Sequence, residues 1–264
     1  MSLEIGQESL LRAGVFVLAL ALLALFERLA PKRDYAANRW LRWRANFSLL
    51  ILDTLLLRLC FPLAAVGIAW YADQHLTGLF HRFQLPGPLA WSAGLLVLDC
   101  VIYWQHRLLH RIPLLWRLHK IHHTDLDLDC STGVRFHPLE ILFSMLLKAA
   151  VILALGIPAG AVLIFEILLN TGSLYTHSNI TLPAAIEARL RRLFVTPDMH
   201  RIHHSVNPAE TDSNFSFNLN LWDRLFGSYC AAPSQDPRSM ALGLSEYRDA
   251  RELGLFRLLK IPFI

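Results

Sequence analysis

A chain of 264 residues that is 54% hydrophobic and only 17% charged, with a mean hydropathy of +0.38, is too apolar for an ordinary soluble domain and reads as an integral membrane protein. Its net charge of +4 does not point to nucleic acid, because the basic residues stand beside apolar runs and do not cluster with stacking aromatics; anionic lipid headgroups fit that charge better. Four scattered cysteines, Cys60, Cys100, Cys130 and Cys230, indicate neither a disulfide framework nor a zinc ribbon.

The first ten residues, MSLEIGQESL, lack the basic start and small-residue cleavage site of a secretory leader. The apolar run from Leu10 to Leu29 is about long enough to cross a bilayer, with Arg12 and Arg28 placed to snorkel near its ends. A second run covers Ala45 to Tyr71 and a third covers Leu89 to Trp104. A long fourth stretch, Leu139 to Tyr175, is interrupted by LGIPAG at 155–160, where glycine and proline turn a helical hairpin. Arg28, Lys32, Arg33, Arg39, Arg42 and Arg44 lie between the first two spans, whereas the next loop, 72–88, holds only Arg82. The excess of positive charge predicts that the first of these loops is cytoplasmic. Counting crossings from there puts His106, His110, His119, His122, His123, His137, His177, His200, His203 and His204 in that same compartment. His75 and His81 fall on the other side and read as ordinary surface residues.

Three of the patterns in this histidine-rich part carry chemistry. In HRLLH, His106 and His110 are one turn apart on a single helical face and can share a metal. In HKIHH (119–123) and HRIHH (200–204), a helix aims all three imidazoles at one side, enough for two neighbouring ions. Neutral imidazole suits iron, zinc, copper or nickel, and eight such ligands exceed what one tetrahedral ion takes. A two-metal centre follows. A basic membrane-surface patch is the competing reading, but lysine or arginine would serve it better at neutral pH.

HRLLH, HKIHH, FHPLE (136–140) and HRIHH, in this order and with this membrane layout, resemble the fatty acid hydroxylase or sterol desaturase superfamily of membrane di-iron oxygenases. The likeness covers about Trp104 to Tyr229 and includes DLDLDCSTGVRFHPLEIL, THSNI, VTPDMHRIHHS and WDRLFGSY, which are similar to bacterial members. It implies an all-α membrane bundle with a cytoplasmic histidine-rich helical cap around a dinuclear site. The implied organisation is N-terminal spans and basic loop over 1–88, a hydroxylase-like region over 89–230 and a C-terminal amphipathic segment over 231–264. It further implies two iron ions, with zinc as a possible replacement, and dioxygen as co-substrate for hydroxylating or desaturating a fatty acyl or sterol-like lipid. The implied ligands are His106, His110, His119, His122, His123, His200, His203 and His204. His177 matches a further family ligand, and His137 matches a position of the sterol-desaturase branch. Related hydroxylases carry one more histidine shortly before the position of His177; LLNTGSLY (168–175) has none. The bacterial likeness implies an inner-membrane location.

No catalytic side chain beyond the metal centre is assigned. Asp125, Asp127, Asp129 and Asp198 stand beside the boxes, where they either orient ligating imidazoles or serve as solvated charges and caps. Asp53, Asp99 and Glu166 lie inside spans and should face the bundle interior, Asp53 pairing with Arg58. Asn170 and Tyr175 could line a route to the metals. RELGLFRLLKIPFI, 251–264, either lies in the interface or packs on the cap. The chain shows no dinucleotide fingerprint, ferredoxin cysteines or haem attachment, so a separate reductase or electron carrier is expected. A zinc-dependent membrane hydrolase is the alternative, though no H-E-x-x-H occurs. A metal transporter ranks below it, because the boxes lie at span ends, not at the midplane.

Overall fold

The leucine- and alanine-rich N-terminal run forms α1 (Ile5–Leu29) in a computed structural model that describes residues 5–249, 251 and 253–264. Met1 to Glu4 of the stretch read for a leader, and Glu252 of the C-terminal amphipathic segment, lie outside the described residues. Among the described residues the chain is helical with no strand, and isolated bridges such as Pro31 to Ile180 and Ser205 to Leu242 join its loops. Among the described residues, five segments are long and apolar enough to cross a membrane: Gly6–Leu29, Arg39–Arg82, Gly87–Arg111, Pro138–Leu155 and Ala159–His177.

Their boundaries depart from the hydropathy pattern in two places that matter. α2 (Arg39–Cys60) starts well before Ala45, capped by the Asn38 side chain, which accepts hydrogen bonds from Trp40 N and Leu41 N. Arg39, Arg42 and Arg44 are therefore the first turns of this helix and not a loop. Arg42 is buried there because carboxylates surround it: Nε donates to Asp125 at 2.5 Å and Nη1 to Asp129 at 2.8 Å. Pro62 cannot continue the helix, and the chain restarts as α3 (Ala64–Gln74). After the short α4 (Leu79–Arg82), α5 (Gly87–Arg111) runs beyond the predicted end at Trp104 and carries His106 and His110 in its last turns.

Ile112 and Pro113 end α5 and open α6 (Pro113–His123), proline filling a first-turn position that needs no N–H. A 3-10 turn (Cys130–Val134) leads to α7 (Pro138–Leu155) and α8 (Ala159–His177), the hairpin expected from the Gly-Pro break. Each is about 27–28 Å long, close to the hydrocarbon thickness. Gly156 makes the turn at φ +68°, and a Cβ there would fall 2.2 Å from the carbonyl oxygen of Thr77. A Gly156→Ala variant is expected to lose about 1–3 kcal/mol of stability, read as a lower thermal midpoint in detergent.

Small residues let α3 approach its neighbours: Ala65 and Ala69 pack with Leu98, Ile102, Ile152 and Phe165 in the main apolar core. Thr77 against Gly156, and Asp73 accepting from Ala159 N at 3.0 Å, mark one end of the bundle, where His75 and His81 lie. The other ten histidines lie at the opposite end, as the crossing count predicts. There the remaining short helices, α9 (Ala184–Leu190), α10 (Pro197–His203), α11 (Pro208–Thr211) and α12 (Leu221–Leu225), form a cap. Near the C-terminus, α13 (Leu255–Lys260) and the turn after it bury Leu258 and Ile261 against Ala45, Leu49 and Ile121. The segment thus packs on the protein with one face, while Phe256, Phe263 and Ile264 stay exposed on the other.

Candidate metal centre

Four helices end in one place. His106 and His110 sit at the end of α5, His119, His122 and His123 at the end of α6, His177 closes α8, and His200, His203 and His204 close α10. The C-terminal ends carry the negative pole of the helix dipole, so the backbone alone favours a cation there. α10 is held in place at its start by Pro197 and by the Thr196 hydroxyl, which accepts from Met199 N.

The imidazoles fall into two groups, His106, His110, His119, His123 and His203 in one and His122, His177, His200 and His204 in the other, with one ring nitrogen from each member lying within 4.8 Å of the others in its group. Each H-x-x-H-H box is divided between them. His119 and His123, at i and i+4, join the first group while His122 joins the second; His200 and His204 join the second while His203 joins the first. The groups adjoin, with the His123 and His204 rings stacked at 4.4 Å.

Hydrogen bonds fix how the rings point. The Nδ1 atoms of His106 and His203 donate to the carbonyls of Phe215 and Ser213, each at 2.7 Å, and His119 Nδ1 donates to Glu140 at 2.8 Å. A proton at Nδ1 leaves Nε2 as a bare lone pair in a neutral ring. The Nε2 atoms of His106, His110, His119, His123 and His203 are all buried and without a partner. In the second group, His122 Nδ1 faces the Arg135 carbonyl and His177 Nδ1 faces that of Ser173. Their Nε2 atoms are nevertheless 2.9 Å apart, and His177 Nε2 is also 2.9 Å from His200 Nε2. Lone pairs at that range repel unless a cation lies among them, and bonds of about 2.1 Å at right angles place neighbouring ligand nitrogens about 3.0 Å apart. The residues present fit two metal ions.

Burial, and then the neighbouring imidazoles, push the pKa values of His122, His123, His200 and His204 well below the usual histidine range. His203 is lowered to about 3, mainly by burial. The rings are neutral and ready to ligate at neutral pH. Glu140→Gln keeps the shape of the side chain but removes the charge that orients His119. It is expected to weaken metal affinity by roughly 10–100-fold, measured by chelator competition.

Nine of the ten histidines singled out in the sequence are brought together. His137 is not: it caps α7, accepting from Leu139 N at 3.2 Å, and belongs to neither group. His75 and His81 pair locally with the Tyr71 carbonyl and Asp73. The aspartates beside the boxes neither orient imidazoles nor stand in solvent, and one of them is a cap: Asp129 accepts from Ser131 N at the start of the 3-10 turn. Asp125 and Asp129 hold Arg42, Asp127 accepts from Ala37 N, and Asp198 pairs with Lys32 at 2.6 Å. Burial would raise the Asp125 pKa, but Arg42 and Arg135 pull it down to about 2.

Of the carboxylates that do touch these imidazoles, Glu140 on His119 closes the FHPLE motif, which reads for its histidine and not for its glutamate, and Asp212, 3.4 Å from His110, carries no local signal in the sequence. Neither does Asn214, whose positive φ of 52° turns the backbone so that the carbonyls on either side of it reach His203 and His106. Inside the spans, Asp99 accepts from Asn218 and Trp222, and Arg58 donates to Ser9 at 3.2 Å instead of pairing with Asp53. Above His106 and His119 a cavity of about 440 Å³ opens among α1, α2, α5, α7 and α8; Asn170 lines it and Tyr175 does not.

The family model described as fatty acid hydroxylase matches residues 91–228. The chain is 30% identical to an ornithine lipid hydroxylase of Rhizobium tropici over 88% of its own length and 70% of that protein. It is 30% identical to an alkylglycerol monooxygenase of Danio rerio over 70% of its length, and 31% identical to a very-long-chain aldehyde decarbonylase of Oryza sativa subsp. indica over 66%. It spans only 39% and 29% of those two relatives. No solved structure matches. With the matched region enclosing all nine clustered histidines, the chain belongs to the fatty acid hydroxylase family of membrane oxygenases.

Proposed function

We propose that the nine clustered histidines hold two iron ions and that the protein oxidises a C–H bond of a membrane lipid, by hydroxylation. Membership of the family makes the protein an oxidoreductase of the oxygenase type. The observation that carries the two-ion reading is the split of each H-x-x-H-H box between two groups of converging ring nitrogens. Two irons held there supply activation of dioxygen at the expense of two electrons.

The chain's own residues bind and orient. The Ser213 and Phe215 carbonyls and Glu140 lock the first group of rings, and the Arg135 and Ser173 carbonyls lock rings of the second. Apolar side chains such as Phe16, Leu57, Ile102 and Met145 wall the cavity over them, excluding water and accepting an alkyl chain. The relatives named for hydroxylation and mono-oxygenation favour insertion of oxygen over desaturation. They also disfavour the zinc-hydrolase alternative, whose required glutamate base has no candidate on the rings: Glu140 is occupied with His119 Nδ1.

The positive residues around Lys32 and Arg33 support a cytoplasmic site in a bacterial inner membrane, and a separate reductase or electron carrier supplies the electrons. Metal analysis of protein made aerobically in iron-replete medium tests the reading. Two irons per chain, absent from a His203→Ala/His204→Ala variant, together with an oxygen-bearing lipid that appears only in cells expressing the wild type, are the expected result. One zinc and no iron under these conditions would overturn it.

A further inference from the structure

The cavity has a second polar end. Charges inside a span are costly and are kept where they serve binding or transport, and five charged side chains, Arg12, Asp53, Arg58, Lys148 and Glu166, line this end of the cavity well above the histidines. Glu166 on α8 accepts from Lys148 on α7 at 2.5 Å and from Arg12 on α1 at 2.9 Å. Glu8 lies 3.6 Å from Arg12, and Arg58 on α2 donates to Ser9. The five lining groups sum to one excess positive charge, and Glu8, which is not part of the lining, faces Arg12.

Donor capacity is left over as well. Lys148 is 8% exposed and its three N–H groups meet one carboxylate, while Arg12 Nε is buried without a partner. Asp53, 6% exposed, lines the same cavity with an unpartnered Oδ1. Between α1 and α2 the lining reaches the surface at Ala13, Val17 and Thr54, and the Ser9 to Arg58 hydrogen bond spans that gap.

We propose that this end binds an anionic oxygen group carried on an alkyl chain, and that the chain enters sideways between α1 and α2 and runs down to the first group of histidines. The inference rests on the oxygenase reading for what happens at the far end of the chain, but the binding itself does not. The anion is the carboxylate of a fatty acid or the phosphate of a single-chain lipid. Lys148 and Glu140 lie on one helix, about 12 Å apart along its axis, so the oxidised carbon lies roughly ten carbons from the anionic group. Glu140 in turn holds His119.

The test is binding of tritiated palmitate to the purified full chain in detergent, with iron measured on the same samples. Lys148→Met leaves Glu166 paired with Arg12, and Arg12→Met leaves it paired with Lys148, so each removes one donor without stranding that carboxylate. Each is expected to bind palmitate about ten-fold more weakly or worse. Should one variant fail to fold, the other and the competitors decide. Unlabelled lysophosphatidate that displaces palmitate assigns the site to a lipid headgroup, and failure to displace assigns it to the free acid; both support the proposal. Hexadecane that competes as well as palmitate, or variants that bind palmitate as tightly as the wild type, would overturn it. Wild type that binds palmitate yet takes up no iron would sink the oxygenase reading and leave the anion site standing.

Discussion

His119→Ala/His123→Ala and His200→Ala/His204→Ala are each expected to keep about one metal ion per chain and to lose lipid oxidation almost completely. Each double variant removes an i, i+4 pair that serves a single group of imidazoles. Since changing only an outer partner of a ligand costs about 10–100-fold, removing two ligands should reduce activity by at least ~10²-fold. The informative contrast is His122→Ala/His123→Ala. Those residues are adjacent in sequence but belong to different groups, so this variant should lose both ions. Metal content by mass spectrometry decides: equal loss in all three double variants would mean one shared site and not two.

Arg42→Met carries the largest expected effect on stability. The guanidinium is buried and donates to Asp125, Asp129, the Asp127 carbonyl and Thr132, joining α2 to the segment that follows the second box. Without it, two carboxylates remain buried and lose their hydrogen-bonded counter-charge. Breaking a buried ion network in this way costs about 3–5 kcal/mol, because desolvation of the stranded charges is no longer offset. The variant is expected to unfold at a lower temperature and to lose metal with its fold, since Asp125 lies two residues from His123. Unchanged melting would show that the network contributes little.

Much of this protein is legible along the chain because its signals are local. Spans are legible as runs of apolar residues, since hydrocarbon demands them residue by residue. The helical hairpin is legible in GIP, where glycine and proline act on their own backbone. The boxes are legible because spacings of three and four place imidazoles on one helical face. The start of α2 was hidden for the opposite reason: hydropathy counts Arg42 as a polar residue at a membrane edge, while its burial depends on aspartates more than eighty residues away. The Asp53 and Arg58 pairing failed on the same ground, since Arg58 reaches across to α1 and not along its own helix.

The amino-acid sequence by itself therefore determined the helical class, the collection of ten histidines at one end and the capacity of the boxes to hold metal, because each rests on residue type and helical period. The tertiary structure decided which histidine serves which group, excluded His137 from both and supplied Glu140 and the Ser213 and Phe215 carbonyls as their supports. It also joined α1, α7 and α8 through Arg12, Lys148 and Glu166. These are contacts between residues far apart in the chain, and only the packing of the helices brings such groups within reach of a hydrogen bond.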